Sequence, residues 1–109
     1  MNKIIYNVTI NIDKSIHNKW LVWIKDHIPR VLATGKFKGA KLTKVLVDDT
    51  ETETYSVQYT ANSREDLNTY YKDYAKALRQ ESLQLFADKA LSFRTELEVI
   101  DEYSVNFDQ

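Results

Sequence analysis

The 109-residue chain has no cysteine, one proline and two glycines, and its charges nearly cancel. Without cysteine it cannot form disulfides, thiolate nucleophiles or cysteine-ligated metal sites. Walker-type and dinucleotide-type loops need at least two glycines at fixed offsets, and Gly35 and Gly39 match neither pattern. Fifteen basic against sixteen acidic residues leave no basic surplus for binding nucleic acid. These absences argue against nucleotide cofactors and nucleic-acid partners.

Long apolar runs are also absent. No stretch approaches the roughly 20 apolar residues of a membrane span. The apolar run near the N-terminus is broken by Tyr6, Asn7 and Thr9 and is too short for a signal peptide. The sequence therefore predicts a cytoplasmic protein without membrane contact. With 43% hydrophobic and 28% charged residues, residues 1–109 are expected to fold as a single domain.

Four segments alternate between apolar and polar residues or are rich in β-branched residues, as strands do. The predicted strands are residues 3–12, 39–48, 54–61 and 91–100.

Two other segments have apolar residues at spacings of three and four, which predicts helices. The first helix follows a cap at Asp13 or Ser15 and should end or kink before Pro29, with a short helical segment from Pro29 stopped by Gly35. The second begins after Ser63 and should span residues 64–88, with a break near residues 80–82.

The resulting order, β-α-β-β-α-β, is that of the ferredoxin-like fold, an α+β two-layer sandwich. Two helices would cover one face of a four-stranded antiparallel sheet. The core face is expected to carry nine side chains of the first, third and fourth strands: Tyr6, Val8, Ile10, Tyr55, Val57, Tyr59, Phe93, Leu97 and Val99.

The opposite face of the sheet has no third layer to cover it. It is expected to carry Asn7, Gln58, Arg94 and Glu96, together with Ile5 and several hydroxyl residues. One interpretation is a solvated face, which is common in antiparallel sheets. The other is a face-to-face contact between two sheets, which this mixture of apolar and uncharged polar residues suits.

Four segments carry a resemblance that spans the chain to about Tyr103. They read IIYNVTINI, HIPRVLATGKF, TYSVQYTANS and SFRTELEVI. In these segments the chain resembles a family of small bacterial proteins known only as a domain of unknown function, similar in fold to the dimeric α+β barrels. The resemblance implies that two chains pack sheet against sheet as a homodimer and enclose a cavity. It implies no reaction.

Candidate ligand-binding residues follow from the faces of the predicted elements. Arg94 and Glu96 share a face of one strand, where they could form an ion pair or, inside a dimer cavity, hydrogen-bond to Asn7 and Gln58. Arg94 could also bind an anionic ligand. His27 lies at a helix end, where a structural role and a ligand contact are both open.

The fold resemblance adds further candidates. Some dimeric α+β barrels are cofactor-independent oxygenases that use Asn, Trp, Tyr and Arg, and Asn7, Trp23, Tyr59 and Arg94 supply these residue types. Members that degrade haem carry a histidine on the second helix, and residues 64–88 contain none. His17 and His27 lie roughly 15 Å apart along one helix, too far to share a metal ion. The sequence therefore predicts no metal and no cofactor.

Two hypotheses about function remain open from the sequence. The first is a non-enzymatic homodimer that binds a small molecule or a protein partner. The second is a cofactor-independent oxygenase or isomerase acting on a small aromatic substrate inside the barrel.

A last expectation concerns residues 103–107, whose apolar alternation predicts that the tail docks on its own sheet edge or on a partner chain.

Overall fold

The computed structural model describes residues 2–49 and 51–105. Along the chain the elements are β1 (Ile4–Asp13), α1 (His17–Leu32), β2 (Phe37–Val45), β3 (Thr52–Ala61), α2 (Arg64–Asp73), α3 (Ala75–Phe86) and β4 (Ala90–Glu98). Short 3-10 turns, Lys14–Ile16 and Ala87–Lys89, precede α1 and β4. Within the described residues, no helix combines the length and the apolarity that a membrane crossing requires.

The four strands form one antiparallel sheet in the order β2-β3-β1-β4, with the helices on one face, as the ferredoxin-like prediction requires. In the central strands most of the side chains that face the helices are buried, because alternate residues of a strand point to opposite faces. Trp20 and Leu67 contribute from α1 and α2 with 1% and 0% of their surface exposed. Of the predicted core, Tyr6, Ile10 and the three residues from β3 are buried.

Pro29 does not end the first helix. Instead α1 continues through it to Leu32, and the amide of Ala33 donates to the Pro29 carbonyl at 2.9 Å. The prediction that the helix ends before Pro29 was therefore wrong, since α1 is continuous across the proline. Burial of Val31, only 1% exposed, favours keeping this last turn helical. Gly35 then adopts a φ of 78°, which glycine tolerates better than other residues, and the helix stops as predicted.

The second helical region is divided into α2 and α3. Ser63 caps α2 as predicted, since its hydroxyl accepts from the Asp66 amide at 3.0 Å. The break lies at Tyr74, with φ −125° and ψ −37°, and not near residues 80–82. Buried positions are spaced by five from Tyr70 to Ala75, one more than a continuous helix would place on one face. The break thus rephases α3 so that Ala75 faces the core.

The edge strand β4 faces opposite to the prediction. It pairs with β1 so that Val8 lies opposite Arg94 and Tyr6 opposite Glu96. Arg94 and Glu96 therefore lie on the helix side, whereas Phe93 and Leu97 lie on the open side, 67% and 43% exposed. The alternation in a strand sequence divides its side chains into two sets, but it does not show which set faces the helices. A shift of the pairing register by one residue exchanges the two sets.

The C-terminal tail does not add a strand to its own sheet edge within the described residues. Tyr103 and Val105 are 90% and 75% exposed, and neither belongs to a strand. Contacts with Lys3 hold the chain as far as residue 102. The Val99 amide donates to the Lys3 carbonyl at 2.8 Å, and the Lys3 side chain forms an ion pair with Glu102. Residues 106 and 107 of the predicted segment lie outside the described residues. Docking on a partner chain stays a prediction.

Ala87 adopts an unfavourable backbone conformation for a residue with a Cβ, with φ 50° and ψ −130°. We expect Ala87→Gly to raise the free energy of unfolding by about 1 kcal/mol. Relief of the backbone strain stabilises the folded state by more than the extra conformational entropy of glycine stabilises the unfolded state. Ala33, in right-handed helical geometry, provides the control, since Ala33→Gly should lower stability instead. Urea unfolding followed by circular dichroism measures both, and two destabilised variants would contradict the expectation.

Candidate functional site

A cavity of about 60 Å³ lies between the helices and the sheet. Its apolar lining comes from both layers and includes Val8, Val57, Trp20, Ile24 and Leu78. Tyrosine, serine, histidine and arginine side chains interrupt this lining. The cavity therefore combines apolar walls with a few polar groups, which is the usual composition of a small-molecule site.

The cavity brings together four of the seven predicted ligand-binding residues. Trp23 and His27 reach it from α1, Tyr59 from the centre of β3, and Arg94 from β4. The sequence had placed Arg94 on the opposite face of the sheet, Tyr59 on the core face and His27 at a helix end, whereas α1 continues past His27 to Leu32. The structure places them in one protomer, beneath its own helices.

His27 is a titratable group of the cavity whose pKa is strongly lowered by this environment. Its ring stacks on Trp23 with centroids 4.4 Å apart, and its Nδ1 has no hydrogen-bond partner among the residues described. Burial, with a contribution from the nearby Arg30 charge, lowers the pKa of His27 to about 4. The imidazole is therefore neutral at physiological pH and can offer a polar nitrogen to a ligand without adding charge.

The His27 pKa predicts a pH dependence of stability. Between about pH 6.5 and pH 4 the unfolded chain binds a proton at His27 that the folded chain does not, so stability falls as pH falls through this window. From pH 7 to pH 4.5 we expect the wild type to lose about 2 kcal/mol more than His27→Gln, after allowance for partial solvent access. Urea unfolding at both pH values measures this. Equal losses in the two proteins would contradict it.

Tyr59 and Tyr70 contribute phenols to the cavity. Both are 3% exposed, and burial is the main cause that raises their pKa values, that of Tyr70 to about 12. Their hydroxyls therefore stay protonated at neutral pH and can act as hydrogen-bond donors. A phenolate base is not available from either residue under these conditions.

Two arginines lie at the cavity, although only Arg94 was identified from the sequence. Arg79 of α3 also lines it and donates from Nη2 to the Tyr6 hydroxyl at 3.0 Å. On α3, Arg79 comes directly after Leu78 and three residues before Ser82, and both of these residues also line the cavity. Helical spacing alone could have placed it beside the inward stripe.

Glu96 is not a cavity residue, because other side chains bind it. Its carboxylate accepts hydrogen bonds from Arg64 at 2.8 and 3.1 Å and from the Tyr71 hydroxyl at 2.6 Å. These bonds, that of Arg64 first, lower the pKa of Glu96. Glu96 therefore joins β4 to α2. The ion pair with Arg94 that the sequence allowed is not formed among the described residues, because Arg64 and Tyr71 occupy the Glu96 carboxylate.

Asn7 and Gln58 lie on the open face of the sheet, directly opposite one another on β1 and β3, and thus away from the cavity. The Asn7 amide is occupied within that face. It donates to Thr95 at 3.1 Å and to Thr9 at 3.3 Å, and it accepts from Ser56 at 2.6 Å. Asn7 therefore connects three strands through side-chain hydrogen bonds, which suits a structural role better than a ligand contact.

The open face also carries an apolar patch, defined as Leu91, Phe93 and Leu97 of β4. These side chains are 52%, 67% and 43% exposed. Through the register of β4 they lie beside Ile5, Thr9 and Asn11 of β1. Contiguous exposed apolar residues on a sheet commonly mark an interface.

Comparison with known families accounts for nearly the whole chain. The model of a domain of unknown function, DUF4286, matches residues 3–100. The chain belongs to the DUF4286 family. No curated protein matches this DUF4286 chain.

Solved structures similar to this DUF4286 chain share its fold. A dimeric ferredoxin-like protein from an uncultured marine organism has a TM-score of 0.71 at 14% identity, covering 94% of this chain and 100% of its own. A Bacillus cereus protein, provisionally described as an antibiotic biosynthesis monooxygenase, has a TM-score of 0.63 at 12% identity, covering 96% and 100%. A dimeric ferredoxin-like protein of unknown function from Thermobifida fusca has a TM-score of 0.60 at 11% identity, covering 88% and 92%. At these identities the similarity establishes the ferredoxin-like fold alone.

Proposed function

We propose that this DUF4286 protein is a homodimer that binds a small molecule in the cavity between the helices and the sheet of each protomer. The observation that carries the proposal is the convergence of Trp23, His27, Tyr59 and Arg94 on one apolar cavity. These groups come from α1, β3 and β4, so the fold and not local sequence assembles them. Convergent polar groups in an apolar enclosure are typical of a binding site.

The size of the cavity limits the ligand. Its volume of about 60 Å³ is well below the roughly 300–1,000 Å³ of common drug-sized sites. The enclosed part of a ligand is therefore only a few non-hydrogen atoms, unless side chains move to enlarge the cavity. This size favours a small metabolite over a polycyclic aromatic compound.

The open face of the sheet supports the dimer. Its apolar patch, Leu91, Phe93 and Leu97, is exposed in the isolated chain, and water contact with these side chains costs free energy that a partner would recover. Asn7 and Asn11 on the same face already bond to neighbouring hydroxyls, so their burial would leave few unsatisfied groups. A second copy of the chain is the proposed partner, in keeping with the dimeric structures of similar fold.

A second candidate function is a cofactor-independent oxygenase. The observation in its favour is the similarity in fold to proteins provisionally described as monooxygenases, together with Trp23, Tyr59 and Arg94 in one cavity. Against it, Asn7 points to the other face of the sheet, so one of the four residue types used in the analogy is missing from the cavity. The small volume also excludes a large aromatic substrate in this conformation.

The binding proposal can be tested with a fragment set of acids, amides, alcohols and amines of up to about ten non-hydrogen atoms. We expect some fragments to shift the NMR signals of cavity residues, including the His27 ring. Val8→Phe should fill the cavity and abolish these shifts, whereas Val22→Phe, on the exposed side of α1, should preserve them. A set in which no fragment perturbs the cavity would overturn the proposal. Oxygen consumption with a bound fragment would favour the oxygenase.

A further inference from the structure

The four arginines of the chain fall into two pairs with different surroundings. Arg30 pairs with Asp26 and Glu81, and Arg64 pairs with Glu96. Arg79 and Arg94, which both line the cavity, have no carboxylate partner in residues 2–49 and 51–105. Among the described residues, the two arginines without a carboxylate partner are thus the two at the candidate site.

The Arg79 guanidinium is held in place by a neutral group. It donates from Nη2 to the hydroxyl of Tyr6, which is itself 3% exposed. A phenol orients the guanidinium but does not neutralise it, and the planar head has five N–H donors in all. Its remaining donors therefore stay available for an acceptor that enters the cavity.

Arg94 reaches the same cavity from the opposite layer. It lies opposite Val8 in the β1–β4 register, and Val8 forms part of the cavity wall. Within the described part of the chain its guanidinium makes no side-chain hydrogen bond or ion pair. Arg79 and Arg94 both act electrostatically on Tyr70, where their positive charges oppose the rise of its pKa. Both guanidinium charges therefore act on the same residue of the cavity lining, Tyr70.

Glu81 and Asp26 act electrostatically on His27, but both pair with Arg30 and neither is part of the cavity lining. Among the described residues that line the cavity there is no aspartate or glutamate, and His27 is uncharged near neutral pH. Both arginines are partly exposed, so water hydrates their charges, and an anion bound by both would offset the repulsion between them. The local charge therefore selects for a ligand with a negative group.

We propose that the ligand of this cavity is a small organic carboxylate, held by Arg79 and Arg94 at its charged end. This inference rests on the proposed binding function. Guanidinium groups match the planar carboxylate through paired N–H donors. The rest of the ligand is a short apolar group of roughly two to three carbons, in keeping with a cavity of about 60 Å³ whose walls include Val8, Val57 and Trp20. An inorganic oxyanion would gain nothing from these apolar walls.

Butyrate, butyramide and inorganic phosphate are the test compounds. They compare a short carboxylate with its uncharged counterpart of similar shape and with an oxyanion that lacks an apolar part. In NMR titrations of the full-length protein we expect butyrate to shift the cavity signals and to bind at least tenfold more tightly than butyramide. Arg94→Gln should weaken butyrate binding about tenfold or more, and the substitution removes no described hydrogen bond or ion pair within the protein. Arg94→Lys should restore part of the affinity, since it keeps the charge but not the paired donors.

Two controls separate a binding effect from a folding effect. Arg79→Gln should weaken butyrate binding similarly, with circular dichroism to show that loss of the Tyr6 contact leaves the fold intact. Lys25→Gln removes an exposed positive charge from α1 and should leave butyrate binding unchanged. Three results would each overturn the carboxylate inference: equal binding of butyramide and butyrate, preference for phosphate, or unaltered butyrate binding by both arginine variants. None of them would contradict the proposal that the cavity is a binding site. If no compound of the wider fragment set perturbs the cavity, the proposed function fails as well.

Discussion

Replacing Phe93 by aspartate is expected to convert the proposed dimer into a monomer. Phe93 is 67% exposed in the isolated chain and lies between Leu91 and Leu97 in the apolar patch. Burial of such a side chain contributes about 1.5–3 kcal/mol, and a twofold interface buries it twice. Phe93→Asp removes that gain and adds a charge that must be desolvated, so the dissociation constant should rise by about 100-fold or more.

Sedimentation velocity measures the outcome directly. The wild type should sediment at about twice the chain mass of 12.8 kDa, and Phe93→Asp at the chain mass. Val22 is the matched control, because it is 73% exposed on α1, away from the open sheet face. Val22→Asp should leave the mass of the dimer unchanged. A wild type that stays monomeric at high micromolar concentration would remove the dimer from the proposed function.

Replacing Trp20 by alanine is expected to cause the largest loss of stability. Trp20 is 1% exposed at the centre of the core, and its ring packs on Tyr55 with centroids 5.1 Å apart. Truncation of a buried tryptophan typically costs about 3–5 kcal/mol, since the cavity left behind is only partly refilled. That is a large part of the roughly 5–15 kcal/mol by which ordinary domains are stable.

Trp23 provides the comparison for Trp20, since it lies one turn further along the same helix and is only half-buried. Trp23→Ala should cost less stability than Trp20→Ala, yet it should disturb the cavity more, because the Trp23 ring supports His27. Urea unfolding followed by circular dichroism compares the two variants without relying on tryptophan fluorescence. A larger loss for Trp23→Ala would show that the core is not centred where the structure places it.

Much of the fold follows from local patterns in the sequence. The alternation of Ile4, Tyr6, Ile10 and Ile12 identified β1 and its buried face, because a strand separates neighbouring side chains onto opposite faces. The Ser63 cap fixed the start of α2 for an equally local reason, since its hydroxyl satisfies an amide three residues away. Interactions of this range depend on a few neighbouring residues and can be inferred without the rest of the chain.

Local patterns could not show which side chains of β4 face the helices. Phe93 and Leu97 form one set of its side chains and Arg94 and Glu96 the other, and apolarity alone assigned the first set to the core. The structure reverses the assignment because β4 is an edge strand, where the helix layer supplies polar partners such as Arg64 and Tyr71 to the charged set. An apolar set that faces away from the helices is consistent with a partner sheet and was misread as core.

The fold class and the residue types of the site were thus determined by the sequence itself, through period-two and helical patterns that act over a few residues. Only the tertiary structure decided which of those residues meet. It brought Trp23, His27, Tyr59 and Arg94 together with the unexpected Arg79, and it moved Asn7, Gln58 and Glu96 elsewhere. The physical reason is that a site is formed by strand register and helix packing between segments far apart in the chain, and a one-residue shift of register exchanges the two faces of a strand.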